Sequence, residues 1–138
     1  QADGHRILVE TEDCLAFVPY FAQLPYETFI VPKGPWQRLP LMPERVLDAM
    51  AMALRAVLKM QDQLWPTPQS YILSVHQAPK SLPLDHDYRC YIRLQPMLRG
   101  PGLQKYLAGV ETGGGQFLND GSPEEKAAEL SAAGAQAQ

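Results

Sequence analysis

The spacings that build a metal site are missing from this sequence. Its two cysteines, Cys14 and Cys90, lie far apart, and no Cys-x-x-Cys, His-x-His or His-x-x-x-His occurs. A complete zinc site within the chain is therefore not expected. Two thiols without a pairing pattern fit a reducing compartment, so the expected location is the cytoplasm. No apolar run reaches the ~20 residues that span a bilayer, and no signal peptide is visible, so no membrane partner is expected. The chain opens QADG without a methionine, as a fragment or trimmed chain would, so absent targeting signals carry no weight. Its glycine triplet is not followed by Gly-Lys-Ser/Thr, which excludes a Walker loop. Neither Ser74 nor Cys14 has a base partner at a recognisable spacing, so no self-contained nucleophile is read. Basic excess is also missing: the net charge of −3 argues against a general nucleic-acid binder.

What is present is one domain's worth of chain. Its 138 residues, 46% hydrophobic and 20% charged, exclude a disordered segment and can bury a core without disulfides. Thirteen prolines imply many edges and turns. Residues 6–11 and 14–20 read as strands joined by the polar turn Glu12-Asp13. Residues 24–33 read as a third strand, with Tyr26, Thr28, Ile30 and Pro32 on one face and Glu27, Phe29, Val31 and Lys33 on the other. Val46, Leu47, Met50, Leu54, Val57, Leu58 and Leu64 recur at spacings of three and four, which predicts an amphipathic helix over 44–64. Strands are expected over 70–79 and 88–96. Residues 103–112 fit either a short helix or a strand. Ser122-Pro123-Glu124-Glu125 is a helix start with a capping box, and that helix is expected to reach about 132. The reading is an α+β fold, with helices on one face of a mostly antiparallel sheet of about five strands. Residues 1–132 form the domain and 133–138 a flexible tail.

Two features could carry chemistry. Between Asp87 and Glu111 there is no acidic residue, while Arg89, Arg93, Arg99 and Lys105 fall there. Guanidinium forks match phosphate oxygens, so the three arginines are phosphate-binding candidates; the alternative is a solvated strand face that meets carboxylates elsewhere. The second feature is Gly113-Gly114-Gly115, which allows either an N–H nest for phosphate or a loose turn. His76, near a strand end, reads by itself as a structural histidine.

Three segments taken together add a resemblance. LAFVPYFAQLPYETFIVPK (15–33), SVHQAP (74–79) and KYLAGVETGGGQFLNDGSPEEKAAEL (105–130) resemble, in order, the C-terminal half of the galactose-1-phosphate uridylyltransferases, members of the histidine-triad superfamily. The resemblance implies a histidine-triad-like fold, the second of two such domains in a homodimeric nucleotidyltransferase of galactose metabolism. It implies a UDP-sugar such as UDP-glucose as ligand, and an N-terminal catalytic domain as partner. Carried over by position, Lys105 and Tyr106 would contact the nucleotide, Val110 and Glu111 the uridine and ribose, and Gln116 a phosphate or sugar oxygen.

Departures from the family pattern limit what the chain can do alone. The family's nucleophilic histidine lies in a His-Pro-His motif, which is absent here, so no catalytic residue is expected in this chain and it is not expected to be active alone. Family members use zinc and/or iron. His76 matches one family metal ligand, but the following His-x-His falls on Tyr91 and Arg93, or on Cys90 and Ile92 in the other register. The metal site is therefore expected to be lost, with His76 a residual ligand, Arg93 standing in for the cation's charge, and no cofactor assigned. The family's Pro-Lys-Arg-His run is altered to Pro32-Lys33-Gly34-Pro35. The competing expectations are a non-catalytic, degenerate module for nucleotide sensing or oligomerisation, and part of a related nucleotide-sugar phosphorylase.

Overall fold

The computed structural model describes residues 4–81, 83 and 88–135. Asp85, His86 and Asp87 of the expected loop, and the last three residues of the expected tail, lie outside them. Five strands, β1 (Ile7–Glu10), β2 (Cys14–Phe17), β3 (Thr28–Pro32), β4 (Tyr71–His76) and β5 (Tyr91–Pro96), form one antiparallel sheet in the order β1-β2-β3-β5-β4. The long helix α1 (Glu44–Asp62) packs on one face. A small hairpin of β6 (Leu98–Gly100) and β7 (Leu103–Gln104), a short helix α2 (Gly109–Gly114) and a C-terminal helix α3 (Pro123–Ala135) complete the chain.

The α+β reading holds, and the alternation within strands sets the two faces. Cys14 and Ala16 of β2, Ile30 of β3, and Ile92 and Leu94 of β5 are buried beneath Val46, Met50, Ala53 and Val57 of α1. Burying one such aliphatic side chain contributes about 1.5–3 kcal/mol. A second cluster joins Val18 and Tyr26 to Ala127 and Leu130 of α3. Gly134 lies so close to α1 that a Cβ there would meet Met60 Cγ at 2.7 Å.

Element ends differ from expectation for local reasons. The third strand starts at Thr28 rather than 24, because Tyr26 takes a positive φ of 61° and the Glu27 carboxylate accepts the N–H groups of Gln23 and Leu24 at 2.8 and 3.1 Å. Those bonds close a turn. The last strand starts at Tyr91 rather than 88, because the Cys90 N–H donates to the Trp36 carbonyl at 2.8 Å, off the ladder. On α1, Gln61 is buried and Leu47 is exposed, the reverse of their hydropathy; the Gln61 amide reaches the Tyr26 carbonyl at 3.4 Å. The capping box of α3 forms as expected, with Glu125 N–H on Ser122 Oγ and Ser122 N–H on Glu125 Oε2, both at 3.2 Å. The helix continues to Ala135, past its expected end near 132.

Candidate functional site

Residues 97–121 form an arm that leaves the sheet after β5. Its backbone is tied at the base by Met97 N–H on the Ser70 carbonyl and Lys105 N–H on the Met97 carbonyl, at 2.8 and 2.7 Å. The β6–β7 hairpin, missed in the sequence, turns at Gly102 with φ 66°. The glycine triplet is neither a loose turn nor a phosphate nest. Gly113 and Gly114 complete α2, and Gly115 caps it in the left-handed conformation with its N–H on the Val110 carbonyl; a glycine at that position carries no Cβ penalty.

The centre of the arm is an ion pair. Lys105 and Glu111 are each 4% exposed, and Lys105 Nζ lies 2.9 Å from Glu111 Oε1. Lys105 Nζ also donates to the Leu118 carbonyl at 2.9 Å. The Glu111 carboxylate accepts the Ala108 N–H at 2.7 Å and the Leu118 N–H at 3.1 Å. The Ala108 N–H bond, then the Lys105 ammonium and the Leu118 N–H, lower the Glu111 carboxyl from the usual 4.5 to about 2. These bonds draw the two ends of the 105–118 segment together. Outward from this knot stand Tyr106 at 78%, Val110 at 48% and Leu118 at 58% exposure, with Gln116 also exposed.

The five residues expected to meet a nucleotide sugar thus share one arm but not one exposure. Tyr106, Val110 and Gln116 face solvent, while Lys105 and Glu111 face each other. The three arginine candidates are not gathered. Arg89 donates to the Lys33 carbonyl at 3.0 Å, Arg93 pairs with Glu27 at 2.6 Å, and Arg99 pairs with Asp120 at 2.8 Å. Meeting carboxylates elsewhere in the chain is what Arg93 and Arg99 do.

On the sheet face away from α1, His76 stacks on Tyr91 with centroids 4.5 Å apart and an interplanar angle of 9°. Tyr91 stacks in turn on Phe29 at 5.1 Å. Ser74 Oγ lies 2.9 Å from His76 Nε2, so Ser74 does have a histidine beside it. The signal was available, because residues two apart on a strand share a face. The residues do not fit the metal that the family resemblance implies. His76 is opposed in register by Tyr91, and Ser74 by Arg93; a guanidinium has no lone pair to donate and repels a cation. Among the described residues no group of three or more His, Cys, Asp or Glu is placed to hold a metal. Both cysteines are fully buried, and burial raises Cys14 to about 11 and Cys90 above its ordinary value, which keeps both thiols protonated and out of solvent. Among the described residues no helix is long and apolar enough to cross a membrane.

Comparison with known proteins agrees with this architecture. The family model described as "Galactose-1-phosphate uridyl transferase, C-terminal domain" matches residues 1–137. The galactose-1-phosphate uridylyltransferase of Thermotoga maritima is 32% identical over 126 residues, which is 91% of this chain and 40% of that protein. That of Haemophilus influenzae is 31% identical over 107 residues, 77% of this chain and 31% of its own length. A solved uridylyltransferase mutant superposes with a TM-score of 0.91 at 31% identity, covering 99% of this chain and 45% of the other. The chain therefore spans well under half the length of these relatives. A zinc-bound histidine-triad family protein from Mycobacterium smegmatis shares the fold, at a TM-score of 0.63 and 16% identity over 95% of this chain and 84% of that one. A five-stranded antiparallel sheet backed by one long helix, an arm after its fifth strand and a family match over nearly every residue lead to one conclusion: this chain belongs to the C-terminal domain family of the galactose-1-phosphate uridylyltransferases.

Proposed function

We propose that this domain supplies the nucleotide-sugar-contacting arm of a UDP-glucose:hexose-1-phosphate uridylyltransferase. The observation that carries the reading is the arm, whose exposed side chains stand on a buried ion pair. Tyr106 offers a ring face for a base and Gln116 both a donor and an acceptor for sugar or phosphate oxygens. Val110 gives an apolar contact beside them. The Lys105–Glu111 pair fixes the spacing of these groups in advance, so less ordering entropy is lost on binding.

The domain does no bond-making by itself in this reading. The chemistry belongs to an N-terminal catalytic domain of the parent chain, which carries the nucleophilic histidine. The exposed apolar residues of the arm, Leu103, Leu107 and Leu118 among them, favour a subunit-crossing contact in a cytoplasmic homodimer.

Calorimetric titration with UDP-glucose, with ADP-glucose as the comparison, tests the reading in the protein at its natural length. Saturable binding of UDP-glucose, weakened about tenfold or more in Tyr106→Ala with the melting temperature unchanged, is the expected result. The tenfold corresponds to about 1.4 kcal/mol. Equal affinity in Tyr106→Ala and the parent would reject the arm as the contact surface. Binding of neither nucleotide sugar would favour the non-catalytic module.

A further inference from the structure

Arg93 lies where the sheet face meets the loop between β2 and β3. Its Nε donates to Glu27 Oε1 and its Nη2 to Gln23 Oε1, each at 2.6 Å. The other Glu27 oxygen accepts the N–H groups of Gln23 and Leu24. The guanidinium carbon lies 5.9 Å from the centre of the Phe29 ring. One residue before Gln23 in the loop, the Ala22 carbonyl accepts Asn119 Nδ2 of the arm at 3.0 Å.

We propose that Arg93 is a built-in cation which does the work of a structural metal: it pins the 18–27 loop to the sheet and, through Ala22 and Asn119, positions the arm. The Glu27 side chain is 1% exposed. A carboxylate that deeply buried requires a counter-charge and filled hydrogen bonds. Arg93 provides the charge, and its fork engages two loop residues at once. A metal could do the same through ligands converging from both strands, but the positions opposite Ser74 and His76 are an arginine and a tyrosine. The Arg93 charge would repel an incoming divalent ion, and the Tyr91 ring covers the imidazole of His76. Among the described residues Arg93 has no hydrogen bond or ion pair with the arm, so its effect there is indirect, and the inference does not depend on what the arm binds.

The test uses hydrogen exchange and thermal melting in the protein at its natural length. Adding Zn²⁺ or Co²⁺ is expected to leave melting and exchange around His76 unchanged. Arg93→Met is expected to lower the melting temperature by about 5–10 °C. It should also speed amide exchange at residues 22–27 and 118–119 by about tenfold or more, with α1 unaffected. Should Arg93→Met fail to fold, Arg93→Lys, which keeps the charge but loses the fork, should show faster exchange at Gln23 and Leu24. A rise in melting temperature with Zn²⁺ that disappears in His76→Ala would overturn the proposal. So would parent-like exchange in the arm of a folded Arg93→Met variant, or at Gln23 and Leu24 of Arg93→Lys.

Discussion

Burial of Lys105 and Glu111 decides what substituting either residue would measure. Each is a charged side chain with almost no solvent contact, and a buried charge tolerates neither loss of its partner nor loss of its hydrogen bonds. Lys105→Met leaves the Glu111 carboxylate without a cation, so the arm should open. Limited proteolysis should then cut within 105–118 faster than in the parent, while the sheet stays intact. The lowered pKa of Glu111 gives a pH signature with a definite sign. A carboxyl that ionises more readily in the folded chain adds stability above its unfolded value. That stability is lost as pH falls from about 4.5 through about 2. The arm of the parent should therefore loosen across that window, read as faster exchange of the Leu118 amide. Glu111→Gln, which cannot ionise, should remove that pH dependence.

At the scale of the element, α2 separates two glycines that look alike in sequence. Gly115 sits at φ 65°, where a residue with a Cβ is strained by about 1–2 kcal/mol. Gly114 is helical, and a Cβ there would meet Val110 at an ordinary 3.8 Å. Gly114→Ala should therefore firm the helix, since alanine is favoured over glycine by about 1 kcal/mol. Gly115→Ala should loosen it. Exchange rates of α2 amides in the two variants should move in opposite directions. Helix α3 makes a second case. Leu130 is fully buried against Val18 and Tyr26, so Leu130→Ala should cost about 2–5 kcal/mol in denaturant unfolding.

For the molecule as a whole, the sheet is covered unevenly. Helix α1 shields β2, β3 and β5, but β4 is an edge strand, and Tyr71, Ile72, Leu73 and Val75 on it are all between 39% and 54% exposed. An edge strand with unpaired backbone groups and apolar side chains invites pairing with another strand. Ile72→Lys, which places a charge on that edge, should raise the concentration at which the chain self-associates, as followed by light scattering. A variant that associates at the same concentration as the parent would locate the contact elsewhere.

Local order in the sequence was enough to determine the five strands of the main sheet, the two longer helices and the fold class, though not the β6–β7 hairpin or α2. The three-and-four spacing of α1, the alternation in 88–96 and the Ser122–Glu125 cap are local patterns, and local patterns survive whatever packs around them. The segments 15–33, 74–79 and 105–130 also sufficed for the family, and the candidate contacts were found on one arm. Tertiary structure alone decided which of those contacts are free. Glu111 and Lys105 are six residues apart, and nothing in that spacing says that they bury one another against Leu118. Arg93 and Glu27 lie on different elements, so only strand pairing brings the guanidinium to the carboxylate. The burial of Gln61 likewise depends on a distant neighbour, the Tyr26 carbonyl. Sequence lists the charges; the fold chooses their partners, because burial makes an unpaired charge too costly to leave alone.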